Sequence, residues 1–306
     1  MNAALGLDAG GSGTRWRLVD KSGTEIASGH APALTGHLFR SDARAAAGAA
    51  LDTLATALSD ADVHAVVAGV TGLSAEAPEA AALAAALVAR LGVAPTAIAV
   101  HDDQWLAYRA AFALGEGILV YGGTGSFACH IDAGGTLHRA GGHGYVLGDG
   151  GSAFWIGRAA LAALLDAQDA AGAWPAGPLA DGPAEAIGGK AWDDIRRYAY
   201  TEPRRHVAAL ARAVALAADA GDAAAIGVLE GAGKELAHLA TRLADRFGPL
   251  PLGLAGAAAL GHPAVFRAFE ATLAWRWPDD PRDVRRIDTP PVTAAARLAA
   301  EMLRTR

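Results

Sequence analysis

Two stretches of this chain share one pattern, and that pattern constrains the fold more than any other feature. In "LGLDAGGSGTRWRLVD" (residues 5–20), a short apolar run ends in Asp8 and leads through a turn rich in glycines and hydroxyls into a second strand. In "GILVYGGTGSFACHID" (117–132), a strand, a similar turn and another strand follow in the same order. A repeated opening of this kind predicts a duplicated α/β domain with a cleft between the two copies.

The composition of the first turn excludes two common nucleotide-binding motifs. It has no GxGxxG between a strand and a helix, and no lysine follows its glycines as in a Walker A loop. We expect hairpin turns whose backbone N–H groups bind anions without needing a positive charge. Either turn by itself could be only a tight hairpin, but the presence of both, one in each half, favours phosphate binding.

Apolar runs and turn signals give the rest of the map. After three opening strands, they predict a helix at 41–59, a strand at 64–70, a helix at 77–91, a strand at 96–101 and a helix at 103–113. The second half adds strands "FACHID" and "TLHRA", helices through most of 150–247, a strand at 250–256 and a helix at 263–273, with 168–192 as a loop or loosely helical insertion. We expect domains 1–114 and 115–306, with a last helix at about 292–305 that could pack back on the first domain.

Composition limits the classes of function. The single cysteine, Cys129, excludes a disulfide framework or a cysteine-ligated zinc site or cluster within one chain. The net charge of −6 argues against nucleic acid as the main partner. The sequence shows no signal peptide and no credible membrane span, so a cytoplasmic protein is expected.

Two acidic positions at strand ends could carry chemistry. Asp8, at the end of the first strand, is placed to bind Mg²⁺ directly or through water. Asp102 and Asp103 lie where a strand ends and a helix begins, and one of them could serve only as a helix N-cap. A carboxylate there could also take the proton from an attacking hydroxyl during phosphoryl transfer.

The segment "AGGHGYVLGDGGSAFWIGRAAL" (140–161) is the most unusual in the chain. Its glycines surround Asp149, and Ser152 opens an amphipathic helix. Asp149 could cap that helix, or it could fix the hydroxyls of a polar ligand that packs close to the backbone. His138 and His143 have no further ligands clustered with them, so we read no metal site there, and His143 is typical of a packing residue.

Together these motifs resemble the BadF/BadG/BcrA/BcrD-type ATPase family, and within it the N-acetylglucosamine kinases. The wider group shares an α/β fold of two ribonuclease H-like (actin-like ATPase) domains with an interdomain cleft. The matching motifs follow the family order over about 250 residues: "DAGGSGT" (8–14), "HDD" (101–103), "GGTGS" (122–126), "GGHGYVLGDGGSAFWIG" (141–157) and "LAGAAALG" (254–261).

The resemblance implies a role for each matching residue. Asp102 would be the general base, Asp8 would hold Mg²⁺, and Asp149 would bind the sugar. The phosphates of ATP would be held by Gly10, Gly11, Ser12, Gly13 and Thr14. Gly123, Thr124 and Gly125 would face both phosphate and sugar, and Gly256 would line the adenosine.

This chain departs from the family pattern on the sugar side. His143 stands where the family has tryptophan, Gly150 where it has glutamate, and Thr35 or Gly36 where it has asparagine. The resemblance therefore implies an ATP-dependent kinase that phosphorylates the 6-hydroxyl of an amino sugar. N-acetylglucosamine is the first candidate substrate, and glucosamine is the alternative. Many members form dimers, so a homodimer is one expectation.

Rival functions remain on the same fold. An ATPase that activates radical dehydratases would need a cysteine-ligated cluster, against which the single Cys129 argues. A sugar sensor with an added DNA-binding domain is disfavoured by the acidic charge and by a first strand that starts at about residue 3. An ATPase or sensor without such a domain stays open as an alternative.

Overall fold

The computed structural model describes residues 2–11, 13–38, 41–74 and 76–305. The chain forms two compact units, an N-terminal unit of Met1–Ala113 with Thr289–Arg306 and a C-terminal unit of Leu114–Asp288. Each unit is built around one five-stranded sheet. The end of the chain thus belongs to the unit in which the chain begins.

The sheet of the N-terminal unit has the order β3-β2-β1-β4-β5. Its first three strands are antiparallel neighbours, whereas β1, β4 and β5 are parallel. The strands are β1 (Ala3–Gly10), β2 (Gly13–Val19), β3 (Glu25–Ala31), β4 (Val63–Val70) and β5 (Ile98–Asp102). The parallel strands end at one edge of the sheet, where ligands commonly bind in α/β folds.

Alternate side chains of β1 pack into two different cores. Leu5 and Leu7 are buried with residues of α1 and α2, while Ala4 is buried with residues of α3 and α11. Gly6 allows the last helix to lie directly on the sheet, because a β-carbon there would overlap the backbone of Ala296. The helices of this unit are α1 (Ser41–Ala57), α2 (Pro78–Leu91), α3 (Asp103–Ala111) and α11 (Pro291–Arg304), with a 3₁₀ turn at Pro95–Ala97.

The sheet of the C-terminal unit has the order β10-β9-β6-β7-β8. Counted within the unit, this is the same order as in the first sheet, with the same antiparallel and parallel neighbours. The strands are β6 (Ile118–Gly122), β7 (Ser126–Ile131), β8 (Leu137–Gly141), β9 (Leu252–Ala255) and β10 (Val284–Ile287). Both units therefore have the α/β architecture that the sequence predicts.

A long buried helix, α8, organises the core of the C-terminal unit. Leu229, Leu236 and Leu243 lie along its buried face and pack with the sheet and with Phe269 of α10. The helices are α4 (Ala153–Ala171), α5 (Pro178–Ile187), α6 (Trp192–Thr201), α7 (Pro203–Asp219), α8 (Ala223–Phe247), α9 (Ala257–Leu260) and α10 (Pro263–Arg276).

Two elements differ from the expectations drawn from the sequence. The segment 168–192, expected to be a loop or a loosely helical insertion, contains a regular helix, α5, even though Pro183 lies inside it. The strand β10 has no counterpart in the sequence map, since its central residues Arg285 and Arg286 are exposed and hide the apolar signal of an edge strand. In the part of the chain that the structure describes, no helix combines the length and apolar character needed to cross a membrane.

Candidate functional site

The glycine-rich turn of the N-terminal unit is open. Gly10 and Gly13 form the last pair of the β1–β2 hairpin, and no described residue beyond its chain neighbours lies within 4 Å of the position that a β-carbon on Gly11 would occupy. Ser12 lies outside the described residues. Thr14 is only 2% exposed, and its hydroxyl donates to the carbonyl of Pro32 at 2.9 Å. The fold thus already uses the Thr14 hydroxyl, which argues against its predicted contact with phosphate.

Asp8 lies on β1 just before this turn, with its side chain 21% exposed. An Arg15 guanidinium nitrogen from the paired strand is 3.7 Å from Asp8 Oδ2. Burial raises the pKa of the Asp8 carboxyl above its usual value, Arg15 opposes this rise, and the charge of Asp103 adds to it. A cation beside Asp8 would therefore relieve an unfavourable charge.

Strand register brings the acidic residues to one edge of the sheet. Asp8 pairs with Gly69 on β4, and Val70 at the next position of β4 pairs with Asp102 on β5. Because these three strands are parallel, their carboxyl ends meet at the same edge. The structure thus gathers Asp8, Asp102 and Asp103 near the open turn.

Asp102 and Asp103 are held in different ways. Asp102 is the N-cap of α3, and its Oδ1 accepts a hydrogen bond from the backbone N–H of Trp105 at 2.6 Å. Asp103 Oδ2 accepts from the Thr71 hydroxyl at 2.8 Å. Burial is the largest cause of a raised pKa for Asp102; its backbone hydrogen bonds lower the value again, and the charge of Asp103 raises it.

Thr71 is a site residue that sequence reasoning missed. Its hydroxyl binds Asp103 and lies 3.4 Å from the place of a β-carbon on Gly10, and its carbonyl accepts from the N–H of Gly36 at 2.9 Å. It therefore links the acidic edge to the segment that contains Thr35, which is half-buried and lies in the loop after β3. The available signal was its position directly after the buried strand β4.

An aromatic stack borders the acidic edge. The His101 ring lies parallel to the Trp105 ring with centroids 3.6 Å apart, and the Arg109 guanidinium lies over Trp105 at 5.4 Å. Burial, helped by the positive charge of Arg109, lowers the pKa of His101 to about 4. His101 is therefore neutral at neutral pH and adds no positive charge beside Asp102.

The glycine-rich turn of the C-terminal unit, residues 122–126, is bonded to its neighbours. The carbonyls of Gly123 and Thr124 accept from the first N–H groups of α4, at 2.8 and 3.4 Å. The Ser126 hydroxyl donates to the carbonyl of Gly150 at 2.7 Å, and the Ser126 carbonyl accepts from the N–H of Gly142 at 3.0 Å. These bonds join the turn to the loop of residues 141–152.

Asp149 is the least satisfied buried group of that loop. It is 5% exposed and has a backbone φ of 60°. Its Oδ1 accepts from the N–H of Ser126 at 3.2 Å, whereas its buried Oδ2 has no hydrogen-bond partner among the described residues. Ser152, not Asp149, is the N-cap of α4. The capping alternative for Asp149 is therefore wrong, and its free oxygen suits a ligand donor.

Glycines make room for two carboxylates at this loop. A β-carbon on Gly125 would lie 2.7 Å from Asp149 Oδ2, and one on Gly150 would lie 2.5 Å from Glu235 Oε2. Contacts this short would force the carboxylates to move. Glu235 lies on α8, far along the chain, and no motif pointed to it.

The remaining predicted residues of the C-terminal unit are His143 and Gly256. His143 is exposed in the same loop as Asp149. Gly256 has a φ of 99° between β9 and α9, and a β-carbon there would lie 2.5 Å from the carbonyl oxygen of Gly122. The structure thus places Gly256 against the start of the C-terminal turn.

Asp8 fits the metal role predicted for it only as one ligand of an ion that has other ligands besides protein side chains. No group of three or more histidine, cysteine, aspartate or glutamate side chains within the described ranges could hold a metal ion. Mg²⁺ needs no such cage, because it commonly binds through one or two carboxylates, water and the phosphates of a nucleotide. The partly buried carboxylate of Asp8, with its raised pKa, fits a Mg²⁺ ion that arrives with the nucleotide.

Comparison with known proteins identifies the family. Residues 5–272 match the BadF/BadG/BcrA/BcrD ATPase family. Over 154 residues the chain is 30% identical to the N-acetylmuramic acid/N-acetylglucosamine kinase of Clostridium acetobutylicum, and this match covers 49% of each protein. The chain thus spans about half the length of the curated relative it matches.

Solved structures show the same fold. A protein from Porphyromonas gingivalis, assigned as an N-acetylglucosamine kinase, has a TM-score of 0.76 at 21% identity, with 97% of this chain and 99% of that chain covered. One from Chromobacterium violaceum with the same assignment has a TM-score of 0.70 at 23% identity, with 97% and 98% covered. The predicted class, α/β with two ribonuclease H-like domains, is confirmed. Since the family match spans most of its length, the chain belongs to the BadF/BadG/BcrA/BcrD ATPase family.

Proposed function

We propose that this chain is an ATP-dependent sugar kinase that transfers the γ-phosphoryl group to the 6-hydroxyl of an amino sugar, with N-acetylglucosamine as the first candidate. One observation carries the proposal: Asp8 and an oriented, half-buried Asp102 lie at one sheet edge beside an open glycine turn. Phosphoryl transfer depends on this combination of phosphate binding, charge neutralisation and a positioned base.

Asp102 is the proposed general base. The N–H of Trp105 holds one of its oxygens, which limits rotation of the carboxylate and orients it for a substrate hydroxyl. Burial raises its pKa, so it accepts a proton more readily than an ordinary aspartate. Asp103 acts differently, because the Thr71 hydroxyl binds its carboxylate.

Asp8 and the glycine turns are the proposed nucleotide-binding groups. Gly10, Gly11 and Gly13 bind phosphate through their backbone, and Gly256 lines the adenosine. Asp8 would hold Mg²⁺, and the ion when bound would neutralise charge on the transferring phosphoryl group. Membership of an ATPase family supports ATP as the donor.

Asp149 is the proposed anchor for the sugar, with Gly123, Thr124, Gly125, His143 and Thr35 as further contacts. Its unpartnered oxygen is buried and can only accept a hydrogen bond while it is ionised. A sugar hydroxyl supplies the missing donor. Glucosamine stays a second candidate substrate, because it offers the same hydroxyls.

The test is release of ADP from Mg²⁺-ATP in the presence of N-acetylglucosamine, glucosamine, N-acetylmannosamine or glucose, with Asp102→Asn beside the wild type. We expect turnover that depends on the sugar and is lost in the variant. Asn can still cap α3, so the variant should fold normally. An equal slow release with every sugar and with none would contradict the kinase and indicate an ATPase or a sensor.

A further inference from the structure

The space left by Gly150 is filled by another part of the chain. Glu235 Oε2 lies 2.5 Å, and its Cδ 3.3 Å, from the position that a β-carbon on residue 150 would occupy. The family pattern has a glutamate in the loop at this position, whereas here α8 brings a glutamate to the same point. Glycine at 150 therefore leaves the space that the Glu235 carboxylate occupies, and a side chain at 150 would require that carboxylate to move.

The Glu235 carboxylate has no partner within the described part of the chain. The residue is half-buried, and no hydrogen bond or ion pair joins its carboxylate to any other described residue. The neighbouring Asp149 has its Oδ2 buried without a partner in the same loop. Carboxylate oxygens accept hydrogen bonds, so the buried Asp149 Oδ2 is an acceptor without a donor, and the Glu235 carboxylate beside residue 150 is a second acceptor open to a ligand. A ligand with several hydroxyl groups could donate to both.

We propose that Glu235 is a specificity-determining residue that accepts a hydrogen bond from a second hydroxyl of the sugar bound by Asp149. This inference rests on the proposed sugar site and adds to it an acceptor from α8. A hydrogen bond to a charged acceptor contributes enough free energy to change affinity about 10-fold or more. Glu235 therefore sets which sugars bind well, and Gly150 is the position that admits it.

The experiment measures binding as well as turnover. Calorimetric titration with N-acetylglucosamine and glucosamine, without nucleotide, is compared between wild type and Glu235→Gln. We expect the variant to bind the preferred sugar about 10-fold more weakly or worse, with an unchanged KM for ATP. Glu230→Gln, an exposed glutamate on the same helix, is the matched control and should behave as wild type.

A swap separates a binding role from a packing role. The variant Glu235→Ala empties the space beside residue 150. The double variant Glu235→Ala with Gly150→Glu places a carboxylate in that space again, now from the loop of residues 141–152. We expect the double variant to recover most of the sugar affinity lost in Glu235→Ala. Deoxy analogues then identify the hydroxyl, since wild type and Glu235→Gln should bind the analogue that lacks it equally well.

The outcomes distinguish this inference from the proposed function. Unchanged sugar affinity in Glu235→Gln, or equal losses for sugar and ATP, would overturn the role of Glu235 even if the wild type is a kinase. Sugar binding without sugar-dependent turnover, weakened in Glu235→Gln, would overturn the kinase and support Glu235. A wild type that binds neither sugar would overturn the assignment of Glu235.

Discussion

The turn between β1 and β2 and the turn between β6 and β7 occupy equivalent places in sheets of one strand order. The first is open, since within the described ranges no atom beyond its chain neighbours lies within 4 Å of where a β-carbon on Gly11 would stand. The second is bonded through Gly123, Thr124 and Ser126 to the loop of residues 141–152 and to α4. One strand–turn–strand unit is thus an open turn, the proposed anion site, in one copy and the support of a buried carboxylate, Asp149, in the other.

The largest effect should come from Asp149→Asn. The amide still accepts from Ser126 and tolerates the φ of 60°, but it replaces the free charged oxygen by a donor. We expect kcat/KM for the sugar to fall about 100-fold while the melting temperature does not fall. Steady-state kinetics and thermal unfolding check this, and a large loss of stability would indicate that Asp149 is only structural.

A pair of glycine substitutions compares the turns directly. In Gly125→Ala, the new methyl group meets Asp149 Oδ2, so we expect a loss of about 1–3 kcal/mol of unfolding free energy and weaker sugar binding. In Gly11→Ala the stability should stay within about 0.5 kcal/mol, while the KM for ATP rises because the methyl group enters the proposed phosphate site.

Urea unfolding and the two KM values give the readout for this pair. The comparison between the turns would be wrong if both variants lost similar stability, or if Gly11→Ala weakened sugar and ATP equally.

The same two turns show which features of the fold and the site were predictable from the sequence. Strand, turn and strand were predictable in both, because glycines and hydroxyls directly after apolar runs are local signals. Asp102 was predictable as a strand-end acid, but only the structure shows which of the two acids caps α3 through a bond to Trp105. Thr14 matched the motif, yet its hydroxyl is bound by Pro32, which comes from the segment after β3.

Long-range partners were out of reach of the sequence. Glu235 meets Gly150 only because α8 packs beside the loop, and Thr71 meets Asp103 only because β4 and β5 are neighbours. Neither contact leaves a local pattern. The strand β10 was missed for another reason, since its exposed arginines mask an edge strand.

A smaller effect is expected from Asp8→Asn, and it depends on pH. Burial raises the folded-state pKa of Asp8, so the stability linked to this group is present below its ordinary pKa and is lost as pH rises through the raised value. The asparagine variant avoids that loss. We expect it to gain stability relative to wild type as pH rises from the ordinary pKa of an aspartate through the raised pKa of Asp8.

Urea unfolding at several pH values measures this difference for Asp8→Asn. A wild type that instead gains stability over the variant as pH rises would show that Arg15, at 3.7 Å, outweighs burial. The account of Asp8 as an acid in need of a cation would then fail.

The smallest effect is expected from Ser152→Ala. The Ser152 side chain accepts from the N–H of Trp155 at 3.2 Å and caps α4, so its removal should cost about 1 kcal/mol of unfolding free energy. Sugar affinity should change little, because Asp149 keeps its bond to Ser126. A loss of sugar binding without a loss of stability would contradict this division of roles.

The most direct test of the central claim follows the phosphorus atoms themselves. Mg²⁺-ATP and N-acetylglucosamine are incubated with the protein, and ³¹P NMR records ADP, free phosphate and sugar phosphate together. We predict a sugar phosphate signal, coupled to the protons of carbon 6, that grows in step with ADP and disappears in Asp102→Asn. Growth of free phosphate alone, at a rate independent of the sugar, would contradict the assignment of this chain as a sugar kinase.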